Sequence, residues 1–165
     1  SIAQELTGLP KFRTQYGYTA YVEGWALYAE QLAKEMGGFY KDPYSDMGRL
    51  NNEMWRAVRL VVDTGIHSKG WTQEQAVKFF MDNSPTPEGA IRSEIRRYTT
   101  SPGQATSYKI GMIKFQQLRD EAKKELGDKF SYPKFHDTVL GGGALPLPVL
   151  EARVKRWIAR EKAGG

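Results

Sequence analysis

Three places in this sequence set ionisable or hydroxyl side chains at spacings suited to chemistry. The first is Glu23 in the string YVEGWALYAE, a carboxylate interrupting an otherwise apolar helical pattern, where burial is costly unless the charge is paired. It lies opposite the stripe that contains Trp25, beside Val22, Ala26, Ala29 and Ala33, and small residues there let a second helix approach closely. Gly24 in mid-helix costs about 1 kcal/mol relative to alanine, which points to a backbone or ligand passing near it. Glu23 reads either as a metal ligand or as a solvated carboxylate on an exposed face. The second place is RAVRLVVDTGIH, where Arg59, Asp63 and His67 stand at i, i+4 and i+8 and project from one helical face. Asp63 can pair with Arg59 and accept a hydrogen bond from His67, fixing the imidazole tautomer as carboxylates do in many catalytic sites. The other reading is a ladder of surface salt bridges, against which stands the apolar density of Leu60, Val61, Val62 and Ile66. The third is Gln104, Ser107 and Tyr108, with Gly111 one turn on. A tyrosine hydroxyl on a rigid helix is a suitable donor to a developing oxyanion, and it is equally at home as a core ring whose hydroxyl finds a partner.

Several standard devices are missing. The chain has no HExxH string, no GxGxxG or phosphate-binding loop, no GxSxG elbow and no EF-hand loop. With no cysteine, thiolate metal sites, thiol nucleophiles and disulfides are excluded. The two histidines, His67 and His136, are far apart, so a self-contained two-histidine zinc site is poorly supported, and His136 in KFHDTVL reads as a capping or packing residue.

The elements that must position these residues are helical. Tyr21, Trp25, Tyr28, Leu32 and Met36 form one apolar stripe on a helix that Gly37 and Gly38 end. A second helix runs from an N-cap at Asp46 to about Ser68, and Thr72 with Gln75 forms a capping box for a third, ending near Asp82. Thr86 and Pro87 open a fourth, to Tyr98. Ser101, Pro102 and Gln104 open a fifth, which runs to Leu126 with Gly127 beyond it, and two shorter helices cover about 133–140 and 148–162. No stretch alternates with period two. The expectation is an all-α fold, an irregular compact bundle of about six or seven helices forming a single domain over 1–165.

The 165 residues, 40% hydrophobic and 26% charged, suit a globular core and exclude global disorder. No apolar run reaches the roughly 18–20 residues that cross a bilayer. The net charge of +5 comes from 24 Lys and Arg against 19 Asp and Glu, spread along the chain, so no nucleic-acid partner is expected. Only Arg153, Lys155, Arg156, Arg160 and Lys162 form a basic run, read as the solvated face of a terminal helix. The chain begins at Ser1 and not at Met, and is expected to be processed or cut from something longer.

Taken together, the strings YVEGWALYAE, RAVRLVVDTGIHSKGW, GQATSYKIG, LRDEAK, FHDTVLGGGALPL and VLEARVKRWI resemble the C-terminal part of the bacterial domain-of-unknown-function family 885. Proteins of that family resemble gluzincin-type zinc metallopeptidases and carry upstream a segment of the form His-Glu-x-x-Pro-Gly-His, which is absent from this chain. The EGWA string is also similar to the Glu-Gly-Phe-Ala string of aminopeptidase-type gluzincins, whose glutamate is the third protein ligand of a catalytic zinc. The resemblance therefore implies that Glu23 is a zinc ligand, that His67 and Tyr108 hydrogen-bond the tetrahedral intermediate as catalytic residues, and that Arg59, Asp63 and Gln104 bind substrate or support the site.

On this reading the chain is the C-terminal half of a zinc-dependent peptidase. It holds no zinc tightly and is inactive alone, because the general base lies upstream. Its partners are a short peptide substrate and the upstream part of the same polypeptide, and the bared wall of the site is expected to drive self-association. The alternative is a non-catalytic helical binding or interaction module with the same fold. Members of the family are often exported as periplasmic proteins or lipoproteins, and the segment that would carry the signal is not in this chain.

Overall fold

Helical periodicity is realised throughout the computed structural model, which describes residues 5–164. Among these, eight α-helices follow one another: α1 Lys11–Gln15, α2 Thr19–Glu35, α3 Pro43–Lys69, α4 Gln73–Asn83, α5 Glu88–Thr100, α6 Ser107–Leu126, α7 Tyr132–Leu140 and α8 Leu147–Lys162. A single 3-10 turn, Gly127–Lys129, follows α6, and no strand occurs among the described residues. The all-α expectation holds, with one short helix, α1, added to the seven read from periodicity.

Several boundaries differ from expectation for local reasons. Helix α3 starts earlier than Asp46: Asp42 is its N-cap, accepting from the Ser45 N–H at 2.9 Å, and Pro43 opens the first turn. Asp46 lies inside the helix, where it pairs with Lys34 and Arg49. The far end of α3 closes at Gly70, whose φ of 67° lets the Trp71 N–H return to the Gly65 carbonyl at 2.9 Å. Thr72 and Gln75 form the expected capping box of α4. At α5, Pro87 and not Thr86 occupies the N-cap position, with no side-chain cap. Helix α6 begins at Ser107, because the Ser101–Thr106 stretch is a series of turns through Gly103, where φ is 78°.

The chain divides into two compact units, one made of Ser1–Trp25 and Gly111–Gly165, the other of Ala26–Ile110. In the continuous unit, Val58 and Val62 of α3 pack with Ala76, Val77 and Phe80 of α4, with Ile91, Ile95 and Tyr98 of α5, and with Ala105. These positions are the inward stripes of three amphipathic helices. The discontinuous unit is organised around aromatic contacts. Tyr21 and Trp25 meet Phe115 edge-on at 5.5 and 5.6 Å between ring centroids, and Phe135 packs on Trp157. Tyr21 donates its hydroxyl to the Val139 carbonyl at 2.7 Å, and burial pushes its pKa up to about 12.

Candidate functional site

The residues singled out by type and spacing fall in both units. In the discontinuous unit, α2 and α6 touch backbone to backbone at Gly24 and Gly111. A Cβ on Gly111 would lie 2.6 Å from the Gly24 Cα, and one on Gly24 would lie 2.5 Å from the Gly111 carbonyl carbon. The backbone predicted to pass near Gly24 is therefore that of Gly111. The residue before the crossing is Glu23, half-buried, with no hydrogen bond or ion pair to any described residue. Among the described residues no group of three His, Cys, Asp or Glu side chains is placed to hold a metal ion. The described residues alone therefore do not assemble a zinc site, and Glu23 offers a single carboxylate. His136 packs as expected, edge-on to Trp25 at 5.6 Å, and burial lowers its pKa.

In the continuous unit the structure gathers Arg59, Asp63, His67, Gln104 and Tyr108 around one network, with partners different from those expected. Arg59, only 6% exposed, does not pair with Asp63. Its Nε donates to the Tyr98 hydroxyl at 3.0 Å and its Nη2 to Glu94 Oε2 at 2.7 Å. Its charge is thus already met by a carboxylate, which counts against capture of a substrate carboxylate. Asp63, 3% exposed, takes the Gly103 backbone N–H on both oxygens, at 3.0 and 3.3 Å. This contact, with the left-handed φ of Gly103, holds the Ser101–Thr106 turns out of helix. His67 is bonded through Nε2 to the Tyr98 carbonyl at 3.0 Å rather than to Asp63. A carbonyl only accepts, so Nε2 carries the proton, and in the neutral ring Nδ1 is the acceptor. Gln104 accepts from Arg97 Nη1 at 3.0 Å, so it extends the charged network.

Glu94, Arg97, Tyr98 and Arg56 complete the group and were not singled out by sequence. Arg97 Nη2 donates to Glu94 at 3.0 Å, so one carboxylate serves two guanidiniums. Burial pushes the Glu94 pKa up, and the combined effect of Arg97, Arg59 and Tyr98 outweighs it, leaving the group below its usual range. Tyr98 is forced well above the ordinary phenol range, chiefly by burial. Its signal in the sequence is that it continues the Ile91 and Ile95 stripe, because a tyrosine on a buried stripe needs a hydroxyl partner.

Tyr108 differs from the rest. It sits in the first turn of α6, half-buried, with the Arg56 and Arg59 guanidiniums 5.1 and 5.2 Å from its ring centroid. Its hydroxyl has no hydrogen-bond partner among the described residues. Two guanidiniums against the ring, that of Arg59 also paired with Glu94, and a helix N-terminus surround this donor, an arrangement suited to a neighbouring oxygen that gains negative charge.

Residues 1–154 match the family described as bacterial protein of unknown function, DUF885. The chain belongs to that family. A DUF885 assignment fits two solved structures of the same fold. One is described as the "putative lipoprotein" of Colwellia psychrerythraea, with 48% identity and a TM-score of 0.93 over 96% of this chain. The other, from Shewanella oneidensis, is described as a "putative lipoprotein of unknown function", with 28% identity and a TM-score of 0.83 over 92%. This DUF885 chain spans 27% of the length of each. No curated protein matches it.

Proposed function

We propose that this chain is the C-terminal portion of a gluzincin-like, zinc-dependent peptidase that hydrolyses short peptides. The observation that carries the reading is Tyr108 at the start of α6, with the Arg56 and Arg59 guanidiniums 5.1 and 5.2 Å from its ring centroid and its hydroxyl without a hydrogen-bond partner among the described residues. In hydrolysis of a peptide bond the carbonyl oxygen gains negative charge as water adds, and a donor already held in a positive, partly dry setting stabilises that charge without reorganising. His67, with Nε2 committed to the Tyr98 carbonyl, presents Nδ1 as an acceptor for a substrate N–H or a bound water. Arg59, Asp63 and Gln104 act as positioning residues that hold the network in which Tyr108 sits.

Glu23 is assigned as one ligand of a zinc whose remaining ligands come from the His-Glu-x-x-Pro-Gly-His segment of a longer polypeptide. Bound zinc would supply an activated water near neutral pH. The description of the solved relatives as lipoproteins supports export of the parent protein.

Two expected results test these assignments separately. In the chain extended through the upstream segment, elemental analysis should find about one zinc per molecule, the count for a single catalytic metal with one open position. Glu23→Ala should abolish most of that occupancy while leaving the circular dichroism spectrum intact. Tyr108→Phe keeps the ring beside its two arginines and removes only the donor, so kcat should fall about 100-fold with KM nearly unchanged. Zinc-free extended protein without peptidase activity would leave the non-catalytic helical binding module as the better account, and full activity in Tyr108→Phe would remove Tyr108 from the mechanism.

A further inference from the structure

We propose that the C-terminal helix carries an anion site for a phosphate group, formed by Arg153, Arg156 and Arg160. These three arginines stand at i, i+3 and i+7 on α8 and line, with Thr138 and Ala159, a cavity of about 450 Å³ within the discontinuous unit. No carboxylate lines it. Elsewhere on the helix the basic residues are neutralised. Lys155 pairs with Glu151 at 2.6 Å and Lys162 pairs with Glu125. The helix's two carboxylates are likewise engaged by lysines, Glu151 by Lys114 as well as Lys155, and Glu161 by Lys134. Among the described residues no carboxylate lies within ion-pair distance of the three cavity arginines. Along the solvated face formed by this basic run, paired lysines are thus separated from unpaired guanidiniums that line one cavity.

The cavity is also partly built in advance. Arg153 Nε donates to the Thr138 carbonyl at 2.7 Å, near the C-terminal end of α7. Its guanidinium lies along the Gly142 backbone, so close that a Cβ there would sit 3.1 Å from Nη1. With Nε committed, the terminal nitrogens of Arg153 are held in one plane, and Arg156 and Arg160 stand one and two turns further along the same face. Planar forks on one side of a cavity suit a tetrahedral oxyanion better than a single carboxylate, because each guanidinium can bond two of its oxygens. Three like charges converging without a counter-charge repel one another, and a bound phosphate removes that repulsion.

The test uses inorganic phosphate by isothermal titration calorimetry and, separately, flotation with vesicles of phosphatidylglycerol in phosphatidylcholine. Arg156→Gln and Arg160→Gln are the variants of choice, because both side chains are exposed and neither caps α7. Saturable phosphate binding, weakened about tenfold by each substitution with thermal unfolding unchanged, supports a site for a free phosphate compound. Vesicle binding lost in the same variants, with no response to inorganic phosphate, supports a phospholipid headgroup as the source. Absence of both, binding that survives the double variant, or salt-sensitive capture of single-stranded DNA without any phosphate response would overturn the proposal.

Discussion

Gly111→Ala is expected to be the most damaging single methyl that this chain can receive. The added Cβ would lie 2.6 Å from the Gly24 Cα and closer still to the Ala20 carbonyl oxygen, so the obstruction is backbone, which cannot rotate aside. The two helices must separate, and the edge-on packing of Tyr21 and Trp25 on Phe115 loosens with them. A cost of about 3 kcal/mol or more follows from overpacking at a rigid contact. It should appear as a fall of about 6–12 °C in the melting midpoint. Helix propensity alone has the opposite sign, since alanine in place of a helical glycine normally gains up to about 1 kcal/mol. Gly48→Ala in α3, where the new methyl meets nothing within 4 Å, is the matched control and should be neutral or stabilising. A Gly111→Ala protein that melts with the control would remove the crossing from the structure.

Arg59→Met is the second large effect. Methionine fills much of the same volume but leaves the buried Tyr98 hydroxyl without its donor and Glu94 with one guanidinium fewer. Breaking a mostly buried ion pair on one side costs about 3 kcal/mol, read from urea unfolding midpoints. The double change Arg59→Met with Tyr98→Phe should cost less than the two single changes added together, because both remove the same Arg59–Tyr98 hydrogen bond. The effect also depends on pH. Because the folded-state pKa of Glu94 is depressed, the stability its pairs contribute is fully present above the ordinary carboxylate range and is lost as pH falls through the depressed value. The gap between wild type and Arg59→Met should therefore narrow in acid. A gap that is constant or that widens below the carboxylate range would place the stabilising charge elsewhere.

How far this arrangement is legible in the sequence depends on how local its causes are. The capping box of Thr72 and Gln75 and the apolar stripes of α2 to α6 are set by neighbours within one or two turns, and they are found where periodicity puts them. The start of α3 is also local, but two aspartates compete for it. Asp42 followed by Pro43 is the stronger signal, and Asp46 is drawn off by Lys34 and Arg49. The turns before α6 could not be read locally, because Ser101, Pro102 and Gln104 imitate a helix start, and what prevents it is Asp63, forty positions earlier. For the same reason the shared face of Arg59, Asp63 and His67 was visible while their partners were not: Glu94, Tyr98 and Gly103 come from α5 and the turn beyond it. Helix α1, five residues with none buried, offers no periodic pattern to detect.

The division into units has a consequence for the order of events during synthesis. Ala26–Ile110 is one uninterrupted stretch, so all of its partners have left the ribosome once Ile110 has emerged, and it can close while the rest is still being made. Tyr21 and Trp25 are made earlier and are served later. Their ring partners, Phe115 and His136, lie on the far side of the whole intervening unit. Until those arrive, two large aromatic side chains lack these ring partners on the nascent chain. Contacts of such sequence separation carry a loop-closure cost that a finished inner unit, by shortening the effective loop, would reduce. A vectorial folding path, inner unit first and outer unit last, is thus written into the connectivity, with the early aromatic segment as the part most in need of shelter in the interval.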